Sequence, residues 1–349
     1  GRVVVMDMLA YLSPDRAVLL ARLAAERAYL LQRLEGLDEA TLTHDPVFDG
    51  WTVAALLAHL AYWDALEADR LGKLADGRPG DIEPPGIGAD TVDAHNAALQ
   101  RRFAGLPFSQ GLALCQKENR SLMLALDRLP DALLFGRARL RPGWRATPAT
   151  WLRRRARHDA GHAADLARWR AGYPPNDRSV RVIHRDLLRP LVGQSRAELL
   201  ALIALIPPDA RQSQAIEGEW SLPQVLGHIS DYDRLGVLAL QRLAAGQTPD
   251  DEQTFDIEAY NVERGPFWTG VTLAEAWAQF VATRRALLAL AATLDDATLA
   301  RPFTAPWGAP TTACGYLLDM AGHDGEHADA LRRSLGLPAL PRRLIRGAG

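Results

Sequence analysis

Six of the nine histidines recur in register: His59, His158 and His162 in the first half of the chain, and His228, His323 and His327 in the second. His158 and His162 stand four apart, as do His323 and His327, on stretches whose apolar spacing predicts helix. Residues four apart on a helix leave one face about a turn apart, so each pair can offer two imidazoles to one metal ion. One further His from another helix, His59 or His228, would make three nitrogen ligands with positions open to water or substrate. Such a site is reactive: the ion lowers the pKa of a bound water or deprotonates a bound thiol, and either can be a nucleophile. His44, His95 and His184 have no His counterpart and read as hydrogen-bonded core residues.

The register comes from an internal duplication, and shared ancestry alone could preserve the six His as relics. Gly50-Trp51-Thr52-Val53 through Leu57-Ala58-His59-Leu60 to Asp64 recurs at an offset of 169, as Glu219-Trp220-Ser221-Leu222 through Leu226-Gly227-His228-Ile229 to Asp233. Further on, Asp93-Ala94-His95-Asn96 matches Glu258-Ala259-Tyr260-Asn261 at an offset of 165, because the second copy has lost four loop residues. The same offset carries Arg120 onto Arg285, Asp131 onto Asp296, Trp151 onto Tyr316 and each His of the first pair onto its counterpart. Two domains follow, 1–174 and 183–349, joined by 175–182 in a turn-rich stretch that includes Pro174-Pro175-Asn176-Asp177.

Within each copy the apolar positions recur at helical spacing and strand alternation is nearly absent, so the fold class is all-α, two tandem four-helix bundles with no room for a sheet. Ser13-Pro14-Asp15 starts a long first helix and Gly36 stops it. Thr52 and Ser221 are natural N-caps for the His59 and His228 helices, and Ser221 to Gln224 has capping-box spacing. A Gly/Pro-rich loop over 77–88 leads to a short helix bearing Asn96, and a third long helix covers 108–129. Thr147-Pro148 opens the helix of His158 and His162, and Gly172 closes it; Thr312 and Gly336 take those places in the second copy.

Composition narrows the function classes. The 349 residues are 48% hydrophobic and 23% charged, enough for two cores and unlike a disordered chain. Forty Lys+Arg against 42 Asp+Glu give a net charge of -2, without the basic excess that draws a protein to nucleic acid or anionic lipid. No membrane span or signal peptide is legible, and a cytoplasmic location is expected. Cys115 and Cys314 are the only cysteines, so a metal site must be built from His and carboxylates.

The W-[ST]-x-x-x-(L/V)-L-x-H-(L/I) stretches at 51–60 and 220–229, each followed by an Asn-bearing segment and a final H-x-x-x-H, resemble the DinB superfamily of metal-binding four-helix bundles. The resemblance spans nearly the whole chain as two copies. It implies a divalent ion, zinc or nickel foremost, held by one His from the second helix and two from the fourth. It also implies chemistry on a small molecule, such as S-transfer or isomerisation with a low-molecular-weight thiol as cosubstrate. Metal-bound hydroxide acting as a hydrolase, or a non-catalytic metal- or ligand-binding module, are the alternatives. Members are often homodimers, so the two copies would form a pseudo-dimer within a monomeric chain, with a homo-oligomer as the other case.

Other matched residues are candidates for the chemistry. Asp64 and Asp233 could orient a ligand or accept a proton, or be solvated helix carboxylates. Asn96 and Asn261 could support a ligand, or cap a helix. Glu326 gives His323-Asp324-Gly325-Glu326-His327 the H-x-x-E-H spacing of a zinc peptidase, but Gly161 stands at its place in the first copy and argues against that reading. Trp151 and Tyr316 could wall a pocket, with core packing their simpler role. Arg154 and Arg155, aligned with Asp319 and Met320, could hold an anionic substrate near the first site only, unless the run is a solvated basic face.

Overall fold

The computed structural model describes residues 12–82, 89–136, 147–173, 185–249 and 254–340; His184 and the join at 175–182 lie outside the described residues. The chain divides into two compact units, one of 26–174 and one in which residues up to 25 join 175–349. The opening helix, α1 (Pro14–Gln32), runs unbroken across that division, so no local sequence signal announces it. Its first half counts with the C-terminal unit, where Ala21 lies in the apolar core with Leu202, Leu226 and Phe280.

In the N-terminal unit, α2 (Glu39–His44) leads into a two-stranded ribbon, β1 (Pro46–Phe48) paired antiparallel with β2 (Trp51–Thr52). Asp49 (φ 44°) and Gly50 (φ 79°) both occupy the left-handed region, the backbone that an Asp-Gly hairpin turn requires. The ribbon delivers Thr52, whose hydroxyl accepts from Ala55 N at 3.3 Å and caps α3 (Val53–Ala75). There follow α4 (Ala89–Arg102), α5 (Phe108–Arg128), the single turn α6 (Asp131–Leu134) and α7 (Pro148–Arg170), the last capped by Thr147 with Pro148 in its first turn. α3 and α5 approach closely at Gly111, where an added Cβ would lie 2.4 Å from the Ala54 carbonyl oxygen.

The C-terminal unit repeats the plan. It contains α8 (Arg185–Ala204), the ribbon β3 (Ala215–Glu217) and β4 (Trp220–Ser221), then α9 (Leu222–Ala244), α10 (Ile257–Thr269), α11 (Leu273–Ala291) and α12 (Asp296–Ala300). A third ribbon, β5 (Pro302–Thr304) with β6 (Pro310–Thr312), precedes α13 (Ala313–Ser334), which Thr312 caps by accepting from Gly315 N at 3.0 Å. Ser221 N donates to Gln224 Oε1 at 3.0 Å, the return half of the expected capping box on α9. The helices begin at the cap residues read from the sequence. The three ribbons were not foreseen, since strands of two or three residues are too short to show alternation. No described helix is long and apolar enough to cross a membrane.

Candidate metal centre

Each unit gathers its three histidines. His59 on α3 meets His158 and His162 on α7, with Nε2 to Nε2 distances of 3.1 Å (His59 to His158) and 3.0 Å (His158 to His162). In the C-terminal unit the corresponding distances are 2.8 Å (His228 to His323) and 3.1 Å (His323 to His327). All three ligand atoms of each group lie within 4.8 Å of one another. Imidazole nitrogens converging at this spacing fit one divalent ion with bonds of roughly 2.0–2.1 Å. Burial also favours the neutral form, which a metal ligand needs, at five of the six rings. It is the largest cause pulling His59 and His228 down to about 3, His59 being lowered further by His162 and Arg155. His158, His162 and His323 are lowered by burial too.

The surroundings of the two triads differ. His327 Nδ1 donates to Glu217 Oε2 at 2.7 Å, a carboxylate–histidine pairing that fixes the ring and leaves Nε2 as a lone-pair donor. A hydrogen bond with Asn261 favours protonation of His228, and Asn261 Oδ1 also accepts from Tyr232 Oη at 3.2 Å. In the N-terminal unit Phe48 stands where Glu217 does and stacks on His162 at 5.7 Å, and Asp165 on α7 takes the Nδ1 proton at 3.2 Å. His158 Nδ1 accepts from Arg155 Nη1 at 2.9 Å, and a neutral ring accepting there carries its proton on Nε2.

Beneath each triad lies a buried quartet of two aspartates and two arginines. Arg27 Nη2 donates to Asp64 at 2.9 Å and its Nε to Asp159 at 2.8 Å, while Arg155 donates to Asp64 at 2.6 Å and Asp159 at 2.5 Å. In the second unit Arg196 reaches Asp324 at 2.9 Å and Asp233 at 3.4 Å, and Arg284 reaches Asp324 at 2.7 Å and Asp233 at 2.8 Å. Burial would raise the Asp159 and Asp324 carboxyls, but the arginines outweigh it and hold both below the usual range. Each quartet joins the helix of the single His to that of the pair through four charges that sum to zero.

A DinB superfamily model matches residues 22–166 and again 192–330, so each match contains one complete triad. The chain belongs to the DinB superfamily. It carries two DinB domains, and no curated protein or solved structure matches it significantly.

The other candidates fall into place around the two DinB triads. Asp64 and Asp233 are fully buried in the quartets and are not solvated helix carboxylates. Arg155, expected against a substrate, is held by Asp64, Asp159 and the Leu60 carbonyl, while Arg154 is exposed. Trp151 and Tyr316 are buried, and Tyr316 donates its hydroxyl proton to the Tyr232 carbonyl at 2.7 Å. Asn261 stands beside the C-terminal triad as described; Asn96 Oδ1 is buried without a partner. Glu326 is half-buried on α13, between the two His of that pair.

Glu217, Arg27, Arg196, Arg284, Asp159 and Asp324 were not singled out from the sequence. The aspartates had a legible signal, His-Asp at matched positions in both copies. Glu217 and Arg284 had none, because their counterparts are Phe48 and Asn119 and the same task passes to another element in the other domain.

Proposed function

We propose that the protein is a divalent-metal-dependent transferase that uses a low-molecular-weight thiol, with zinc or nickel as the metal. The observation that carries the reading is a set of three imidazoles converging on one point, in domains whose cysteines are both buried. Cys115 is buried, its thiol pushed up to about 11 by that burial, and its sulfur accepts from Arg27; Cys314 is buried as well. A divalent ion held by three neutral ligands keeps its full charge and would lower the pKa of a thiol brought to its open position. In the balanced reaction a sulfur–carbon bond forms, the bond from that carbon to its leaving group breaks, and the thiol proton departs with the leaving group or to solvent.

The chain's residues support this chemistry by position. His59 and His228, on helices capped by Thr52 and Ser221, complete triads whose other members are spaced one turn apart. The quartet carboxylates are saturated by arginine, which leaves them unfit as general bases and favours a nucleophile activated by a metal over one activated by a side chain.

The test is conjugation of glutathione, mycothiol or bacillithiol to monobromobimane by the metal-loaded chain. A rate above background that disappears in the combined His162→Ala/His327→Ala variant supports the reading. Hydrolysis of p-nitrophenyl acetate without thiol, in place of conjugation, would move the assignment to a hydrolase. Neither activity with both sites loaded would leave a metal- or ligand-binding module.

A further inference from the structure

The N-terminal triad is flanked by a group of buried polar atoms that no described residue satisfies. Trp63 Nε1, His95 Nε2, Asn96 Oδ1 and His59 Nδ1 are all buried without a hydrogen-bond partner. They form one neighbourhood: the Trp63 ring lies 6.2 Å from that of His59, 6.4 Å from that of His158 and 5.9 Å from that of His95, and Asn96 follows His95 in α4. A buried donor or acceptor left unmade costs more than a typical hydrogen bond gains, so such a cluster points to an absent partner.

The duplication supplies an internal control. The counterparts of Trp63, Asn96 and His59 are Tyr232, Asn261 and His228, and in the C-terminal domain these bond to one another. The tyrosine hydroxyl donates to the asparagine oxygen and the asparagine hydrogen-bonds the histidine, so these three counterparts satisfy one another, and His323 Nδ1 is the atom of that triad left without a partner among the described residues. An indole N–H is a donor only and sits on a rigid ring, and Trp63 makes no such link. The two triads also differ in exposure: His162 keeps 15% of its side-chain exposure against 6% for His327, whereas His59 is more buried than His228, at 3% against 9%.

We infer that the N-terminal domain alone holds the ligand-binding pocket, and that its ligand is a thiol carrying a neutral amide. The amide carbonyl would accept from Trp63 Nε1, its N–H would donate to Asn96 Oδ1, and His95 Nε2, which can play either role, closes the polar wall. The charged side chains beneath this group, Arg27, Arg155, Asp64 and Asp159, neutralise one another and are left with nothing to balance a ligand charge. The inference rests on the thiol reading above.

The experiment uses the full chain loaded with saturating cobalt and follows the thiolate-to-cobalt absorption band. N-acetylcysteamine, a thiol with one neutral amide, is compared with 1-propanethiol. In His228→Ala, where only the N-terminal triad is complete, N-acetylcysteamine should bind about tenfold more tightly than 1-propanethiol, the worth of two modest hydrogen bonds. In His59→Ala, where only the C-terminal triad is complete, the two thiols should bind equally. Trp63→Tyr in the His228→Ala background copies the C-terminal arrangement and should reduce the preference to about onefold while the 1-propanethiol band persists, which shows that the site still folds and holds metal.

Equal affinities at the N-terminal site would overturn the inference and mean that solvent fills the pocket. A preference that survives Trp63→Tyr, or that appears in His59→Ala, would overturn it too. Absence of cobalt from His228→Ala removes the site on which it depends. Failure of the thiol reading looks different, with neither thiol producing a band at either site, and the inference then falls with it.

Discussion

At the scale of single residues, the two triads share their ligands and differ in what holds them. Glu217 takes the Nδ1 proton of His327, whereas His158 Nδ1 accepts from Arg155. His162 and His327 both give their Nδ1 proton to a carboxylate, so the difference lies at the middle histidine: loading at His158 has to displace a proton from Nε2, whereas His323 Nδ1 has no donor holding it in that tautomer. In a titration with less than one equivalent of zinc, the C-terminal site should fill first, read as metal retained by His59→Ala and lost from His228→Ala. Glu217→Gln keeps the shape and removes the charge; it should weaken the C-terminal site about 10- to 100-fold in competition with a chromophoric chelator and leave the N-terminal affinity unchanged.

Between elements, the quartets show one function moved from helix to helix. The second arginine comes from α7 in the N-terminal domain, as Arg155, and from α11 in the C-terminal domain, as Arg284. Where Arg155 stands the second copy has Met320, and where Arg284 stands the first has Asn119. Arg155→Met alone leaves Asp64 and Asp159 with Arg27 only, and should cost about 3 kcal/mol in urea unfolding, as removing one member of a buried charge group does. Adding Asn119→Arg rebuilds the C-terminal arrangement on α5 and should recover most of that loss; no recovery would mean that the two helix pairs are not equivalent. Packing sets a second limit. At Gly111 a methyl group meets backbone of α3, not a movable side chain, so Gly111→Ala should destabilise by about 1–3 kcal/mol in the same assay.

For the molecule as a whole, two complete triads predict about two metal equivalents per chain by elemental analysis, with His59→Ala and His228→Ala each removing one. Bound metal stabilises only the folded chain, so zinc at a hundredfold over its dissociation constant should add about 2.7 kcal/mol per site, and a chelator should abolish the gain. The sequence by itself determined the duplication, the all-α class, the helix starts and the six histidines that converge. Those follow from local rules: helical periodicity, capping residues, and an i to i+4 pair that any helix places on one face. Tertiary structure decided the rest. Arg27 and Asp159 are 132 positions apart, and Glu217 and His327 are 110, so only packing brings them to hydrogen-bonding distance. Comparing the copies also hides any residue whose task has changed element, as with Arg155 and Arg284. The unsatisfied atoms beside His59 became visible only when burial and hydrogen bonding were both known, because a polar atom is orphaned by its three-dimensional surroundings and not by its neighbours in the chain.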